Sequence, residues 1–221
     1  MTVLLVVITF ATFIVIDLVL NRKKAPVVAS EPATAPVGAA DPEIIGGFVT
    51  PSNVRYHPGH TWVQRERKNV HRVGADAFAA AFAGAVDRIE LPKPGQWVRQ
   101  GQKVVSFYRN GEKIEMVSPV EGEVVEVNTA LLTNPALLRQ EPYAGGWLMN
   151  VFSPDEESPS RNLLPASLVP AWMREAADRL FALQPQLAGA TAPDGGVPVT
   201  DPAAALDTET WKKAAHEFFL S

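Results

Sequence analysis

The chain has 221 residues, with 20 basic and 24 acidic side chains, a formal net charge of −4, and no cysteine. Without cysteine there is no disulfide, thiolate metal site, iron–sulfur cluster or cysteine nucleophile. The acidic balance argues against nucleic acid as a partner, and the 19 prolines point to linkers between packed parts.

Residues 2–20 are apolar except for Asp17. As a helix they span roughly 28 Å at ~1.5 Å per residue, close to the hydrocarbon thickness of a bilayer. Nothing basic precedes the stretch, and Arg22, Lys23 and Lys24 follow it. That pattern predicts a retained transmembrane anchor over residues 1–24 rather than a cleaved signal. The positive-inside rule puts the N-terminus outside and the remainder in the cytoplasm, at the inner membrane. Asp17, one turn from the basic end, is read either as solvated at the interface or as a polar contact to another membrane helix.

Residues 25–43 are rich in Ala and Pro and read as a linker. From residue 44 to 155, short apolar runs alternate with turn signals at Pro94-Gly95, Asn110-Gly111, Glu121-Gly122 and Gly145-Gly146. This predicts a mainly β domain, interrupted by helices over Ala75–Gly84 and Thr129–Arg139. Residues 156–183 form a helical extension, with Trp172, Met173, Ala176 and Leu180 at helical spacing from Pro170 to Leu183. A second linker covers 184–205. Residues 206–221 carry a last amphipathic helix, capped by Asp207 or Thr208. Its apolar side holds Trp211, Phe218 and Phe219, expected either to pack on the β domain or to dock into a partner's groove.

His57 and His60 form an H-x-x-H without a third ligand, and strand alternation places them on opposite faces, so no metal is expected. Glu121 and Glu123 share a solvated face. Arg65, Arg67 and Lys68 read as an exposed loop. No phosphate loop, dinucleotide fingerprint or nucleophile elbow occurs, so no catalytic residue is assigned and the chain is read as a non-enzyme.

Several motifs fall in one order: Tyr56-His57-Pro58-Gly59-His60-Thr61-Trp62-Val63, Val73-Gly74-Ala75-Asp76-Ala77-Phe78, and Ile89-Glu90-Leu91-Pro92 through Gly95 and Gly101. Ser118-Pro119-Val120-Glu121-Gly122-Glu123-Val124-Val125-Glu126-Val127-Asn128 follows, then Asn134-Pro135 and Glu141-Pro142-Tyr143-Ala144-Gly145-Gly146-Trp147-Leu148. Residues 56–152 thereby resemble the glycine cleavage system H protein, a member of the lipoyl-domain superfamily. The resemblance implies a flattened β-barrel or sandwich of two sheets, and a hairpin presenting one lysine that carries lipoate.

In that family the lysine lies ten residues after the glycine matching Gly101 and eight before the proline matching Pro119. Both counts land on Gly111, and Tyr108-Arg109 replace the usual Glu-Ser pair. Asn-Gly is the preferred pair for a two-residue type I′ turn. With Asn110-Gly111 as that turn, Arg109 opposes Glu112, Tyr108 opposes Lys113, Phe107 opposes Ile114, Ser106 opposes Glu115 and Val105 opposes Met116. This register sets an Arg109/Glu112 ion pair at the tip and an apolar face behind it.

The expected protein is a membrane-anchored relative without the carrier lysine. It would serve as a non-catalytic adaptor among other subunits of a membrane complex, and need no cofactor. The alternative is a carrier with lipoate on Lys113, two residues past the turn, serving a membrane-associated redox enzyme. Otherwise the Lys113 stem packs on the Tyr108 ring.

Overall fold

The computed structural model describes residues 43–155, 161–183, 201–204 and 206–220. The expected anchor over residues 2–20, with Asp17, lies outside the described residues, as does most of each linker. Among the described residues no helix is long and apolar enough to cross a membrane.

Eleven strands and five helices make up the described chain. Strands β1 (Glu43–Ile45) and β2 (Phe48–Thr50) form an antiparallel hairpin. Strands β3 (Arg55–His57), β4 (Thr61–Arg67), β5 (Val70–Ala75), β7 (Trp97–Val98), β10 (Gly122–Val127) and β11 (Trp147–Phe152) form a six-stranded sheet in the order β3-β4-β5-β11-β10-β7. Every neighbouring pair in it is antiparallel. Strands β6 (Arg88–Glu90), β8 (Lys103–Arg109) and β9 (Glu112–Val117) form a three-stranded sheet in the order β6-β8-β9. Valines dominate the inward positions, Val63, Val73, Val105, Val124 and Val151 among them, joined by Phe107, Ile114, Met116 and Met149. Branched and aromatic side chains fit a pleated, half-buried surface.

Helix α1 (Ala77–Ala83) starts where Asp76 accepts a hydrogen bond from the Ala79 N–H at 2.8 Å, satisfying one of the free amides of its first turn. The single helix expected over Thr129–Arg139 is instead two one-turn helices, α2 (Ala130–Thr133) and α3 (Leu137–Gln140). The break is at Asn134-Pro135: proline disfavours helical geometry in the residue before it, and Asn134 sits at φ −136°. Helix α4 (Val169–Ala182) lays Met173, Ala177 and Leu180 into the core.

Helix α5 (Thr208–Phe219) is capped by Asp207, which accepts from the N–H groups of Glu209 and Thr210. Its apolar face packs on the chain's own α1. Trp211, Phe218 and Phe219 are buried. Trp211 stacks on Phe82 of α1 at 5.8 Å, and Phe218 meets Phe78 edge-on at 5.0 Å. The docking reading of these three residues is therefore corrected. A helix of this length is marginal alone in water, and α1 supplies the aromatic surface it needs. The end of the expected second linker is also packed: Pro202 and Ala203 are buried.

Candidate functional site

The β8–β9 hairpin carries the position of interest. Asn110 (φ 51°) and Gly111 (φ 82°) form its two-residue turn. Positive φ at both positions is the type I′ geometry, which asparagine tolerates and glycine adopts without strain. The pairing runs Arg109↔Glu112, Tyr108↔Lys113, Phe107↔Ile114, Ser106↔Glu115 and Val105↔Met116, the expected register. Phe107, Ile114, Val105 and Met116 are buried; Asn110, Gly111 and Lys113 are exposed.

The ionic partners at the tip differ from the expected cross-strand pair. The half-buried Arg109 reaches Asp201 at 3.3 Å and donates to the Ala83 carbonyl at 3.3 Å. It thus supplies a donor to an orphan carbonyl at the C-terminus of α1, where the helix dipole also favours a cation. Glu112 pairs with Lys212 of α5 at 2.9 Å, and that contact holds the Lys212 ammonium above its ordinary pKa. The Asn110 N–H donates to Asp87 at 2.7 Å. Arg109 and Glu112 thus face outward to two different segments of the C-terminal chain. Each finds a partner there without bending across the turn.

Lys113 pairs with Glu115 on its own strand at 2.9 Å, and that hydrogen bond raises the lysine pKa and lowers that of Glu115. The Tyr108 ring is covered by Arg88, whose guanidinium lies 3.7 Å from the ring centroid, and Lys113 is the residue opposite Tyr108 across the hairpin. The Tyr108 hydroxyl donates to Glu90 at 2.7 Å, and with Arg88 it holds the Glu90 carboxyl below its usual range.

His57 and His60 are both buried but serve separate local contacts. His57 Nδ1 accepts the Gly59 N–H at 3.0 Å. His60 lies in the turn before β4, not within the opening strand as expected, with φ 58°. Its Nδ1 is 2.8 Å from Asp76, and its ring is stacked between Phe78 at 4.2 Å and Trp172 at 4.5 Å. Arg65 and Arg67 belong to the exposed end of β4 rather than to a loop, with Lys68 in the turn after it. Glu121 and Glu123 are exposed.

Sequence reasoning found the turn and its register but missed Asp87, Asp201 and Lys212, which fasten the tip. They lie 23, 92 and 100 residues from their hairpin partners, and no local pattern links them.

A curled antiparallel β domain that brings a tight hairpin to one edge defines the class, a lipoyl-type domain. The glycine cleavage H-protein family model matches residues 54–175. The glycine cleavage system H protein of Escherichia coli is 32% identical over 125 residues, covering 57% of this chain and 96% of that protein. The corresponding protein of Salmonella newport is 31% identical with the same coverage. A crystal structure of a glycine cleavage system H protein from Mycobacterium marinum is 28% identical, with a TM-score of 0.45, over 53% of this chain and 93% of that one. The chain belongs to the glycine cleavage H-protein family.

Proposed function

We propose that this chain is a non-catalytic, membrane-anchored member of the H-protein family whose hairpin makes structural contacts and carries no lipoate. It serves as an adaptor subunit of a membrane complex. The observation that carries this reading is the tip itself. Gly111 stands at the carrier position in a closed two-residue turn, and the residues around it are tied to Asp87, Asp201 and Lys212. A carrier needs an acceptor amine that can enter the enzymes it visits, and Gly111 has none.

The remaining parts of the proposal rest on the sequence. Residues 2–20 hold the domain on the cytoplasmic face of the inner membrane, with the N-terminus outside, and Asp17 contacts another membrane helix. A domain held at the membrane gains effective concentration for partners anchored beside it.

Intact-mass measurement of the protein from its native membrane, with peptide mapping over residues 102–128, tests the first part. An unmodified mass supports the adaptor. A lipoyl adduct on Lys113 overturns it and makes the hairpin a carrier with a displaced lysine. Purification in mild detergent tests the second part: a stable co-purifying membrane subunit is expected, and a chain that emerges alone refutes the adaptor role.

A further inference from the structure

A groove of about 580 Å³ opens between β2, α1 and the segment that follows α3. Its size falls within the ~300–1,000 Å³ range of small-molecule sites. Phe48, Val49, Ala77, Ala81, Pro142 and Tyr143 form most of its wall. Tyr143 brings a hydroxyl to that wall, but its bonding capacity is spent. It donates to the Val49 carbonyl at 2.9 Å and accepts from the Ala77 N–H at 3.2 Å, while the Tyr56 hydroxyl 3.5 Å away gives its own proton to the Pro51 carbonyl at 3.0 Å. That part of the wall is therefore apolar, and the other polar side chains in the lining are Arg139, Gln140 and Glu141.

One cation borders it. Arg139, in the last turn of α3, lines the groove and is half-buried. Among the described residues its guanidinium has no ion-pair partner. Glu141, the carboxylate nearest in sequence and also in the lining, is turned to the Gly145 N–H at 3.1 Å. Guanidinium groups next to apolar walls normally find a carboxylate or phosphate, because the five donors of the fork remain unmet otherwise. An apolar trough bordered by one unpaired guanidinium is complementary to a molecule with an aliphatic body and a single anionic head.

We infer that this groove binds an aliphatic carboxylate, its tail against Phe48, Val49, Ala81 and Pro142 and its head on Arg139. The inference does not depend on what the hairpin carries.

Photo-crosslinking of the full chain in mild detergent with a diazirine-bearing decanoate tests it. Adducts are expected within residues 77–83 and 139–144. Decanoate should compete for them at a concentration at least tenfold lower than 1-decanol, the difference of one charge-assisted hydrogen bond. Arg139→Gln, a change at a half-exposed position, should abolish that discrimination. Ala81→Leu, which fills the trough, should remove the adducts while the near-ultraviolet circular dichroism stays unchanged. Adducts scattered over the surface, equal competition by 1-decanol, or discrimination that survives Arg139→Gln would each overturn the inference. Competition by an acidic peptide but not by decanoate would also overturn it and mark the groove as a protein-docking site.

Discussion

Replacing Trp211 by alanine separates a core helix from a detachable one. Trp211 is 5% exposed and stacks on Phe82, itself fully buried, with an interplanar angle of 13°. A tryptophan at such a site removes ~150–250 Å² from water, which is worth about 4–6 kcal/mol at ~25 cal/mol/Å². Observed costs of deleting a buried Trp or Phe side chain run ~3–5 kcal/mol. The indole N–H has no hydrogen-bond partner among the described residues, so the whole loss is packing. At ~2–4 °C per kcal/mol for domains of this size, the melting temperature should fall by about 6–20 °C. Thermal unfolding followed by near-ultraviolet circular dichroism gives the number. Trp211→Phe keeps the stack and has no hydrogen bond to lose, so it should cost less than half as much. A loss below about 1 kcal/mol for Trp211→Ala would mean that α5 lifts off cheaply, and its aromatic face would again be available to a partner.

Three further predictions test other parts of the structure. The hairpin strap should be uneven: Arg109 and Asp201 are only 16% and 22% exposed, whereas Lys212 is 44% exposed. Arg109→Ala should cost ~1–2 kcal/mol in urea unfolding, and Lys212→Ala should move the midpoint much less; equal effects would show that burial does not govern the strap. Trp62 is completely buried, and a Cβ on Gly74 would lie 2.4 Å from its ring, so Gly74→Ala should destabilise by ~1–3 kcal/mol in the same assay. The third concerns pH. Burial first, and then His60, lower the His57 pKa beneath its ordinary 6.5, and the Gly59 N–H occupies the Nδ1 lone pair. The unfolded chain therefore takes up a proton near pH 6.5 that the folded chain refuses. Stability should be level above pH 6.5 and decline as the pH falls from 6.5 toward the folded value. His57→Gln should reduce that slope in melts run between pH 7.5 and 5.5, leaving the share of His71, whose pKa burial also lowers.

What was legible in the sequence was local. Asn110-Gly111 states its own turn type, and the alternation on either side of it sets the register, because a slip by one residue would turn Phe107 and Ile114 out of the core. The cap at Asp207 and the apolar faces of α4 and α5 were readable for the same reason: the signal lies within one or two helical turns. The miss at the C-terminal helix is a matter of distance along the chain. Whether Phe218 and Phe219 face a partner or the chain's own α1 depends on the aromatic pair Phe78 and Phe82, about 140 residues earlier. The proline break after Asn134 is local and readable, because proline disfavours helical geometry in the residue before it. His60 was misplaced because the motif around it was read as continuous strand. The positive φ at His60 makes it a turn residue, and the turn is what brings its ring between Phe78 and Trp172 and onto Asp76.

Arg109 joins the hairpin to the C-terminal chain and to the end of α1. An Asn-Gly turn alone closes the hairpin with no amine at residue 111, but it would still leave a free tip. The C-terminal chain changes that. Arg109 is drawn to Asp201 and to the end of α1, Glu112 to Lys212 on α5, and the turn amide to Asp87. No one of these contacts is strong, since exposed pairs contribute little singly. Their geometry is nonetheless cumulative, because they come from three separate segments and α5 is itself fixed by Trp211, Phe218 and Phe219. A swinging arm requires a tip that releases and re-enters solvent at little cost. Here release would break the ion pairs with Asp201 and Lys212 together with the Asp87 hydrogen bond, and would expose the carbonyl end of α1. The Asn110-Gly111 turn and helix α5 thus act in the same direction, which supports the proposed hairpin whose work is to hold position.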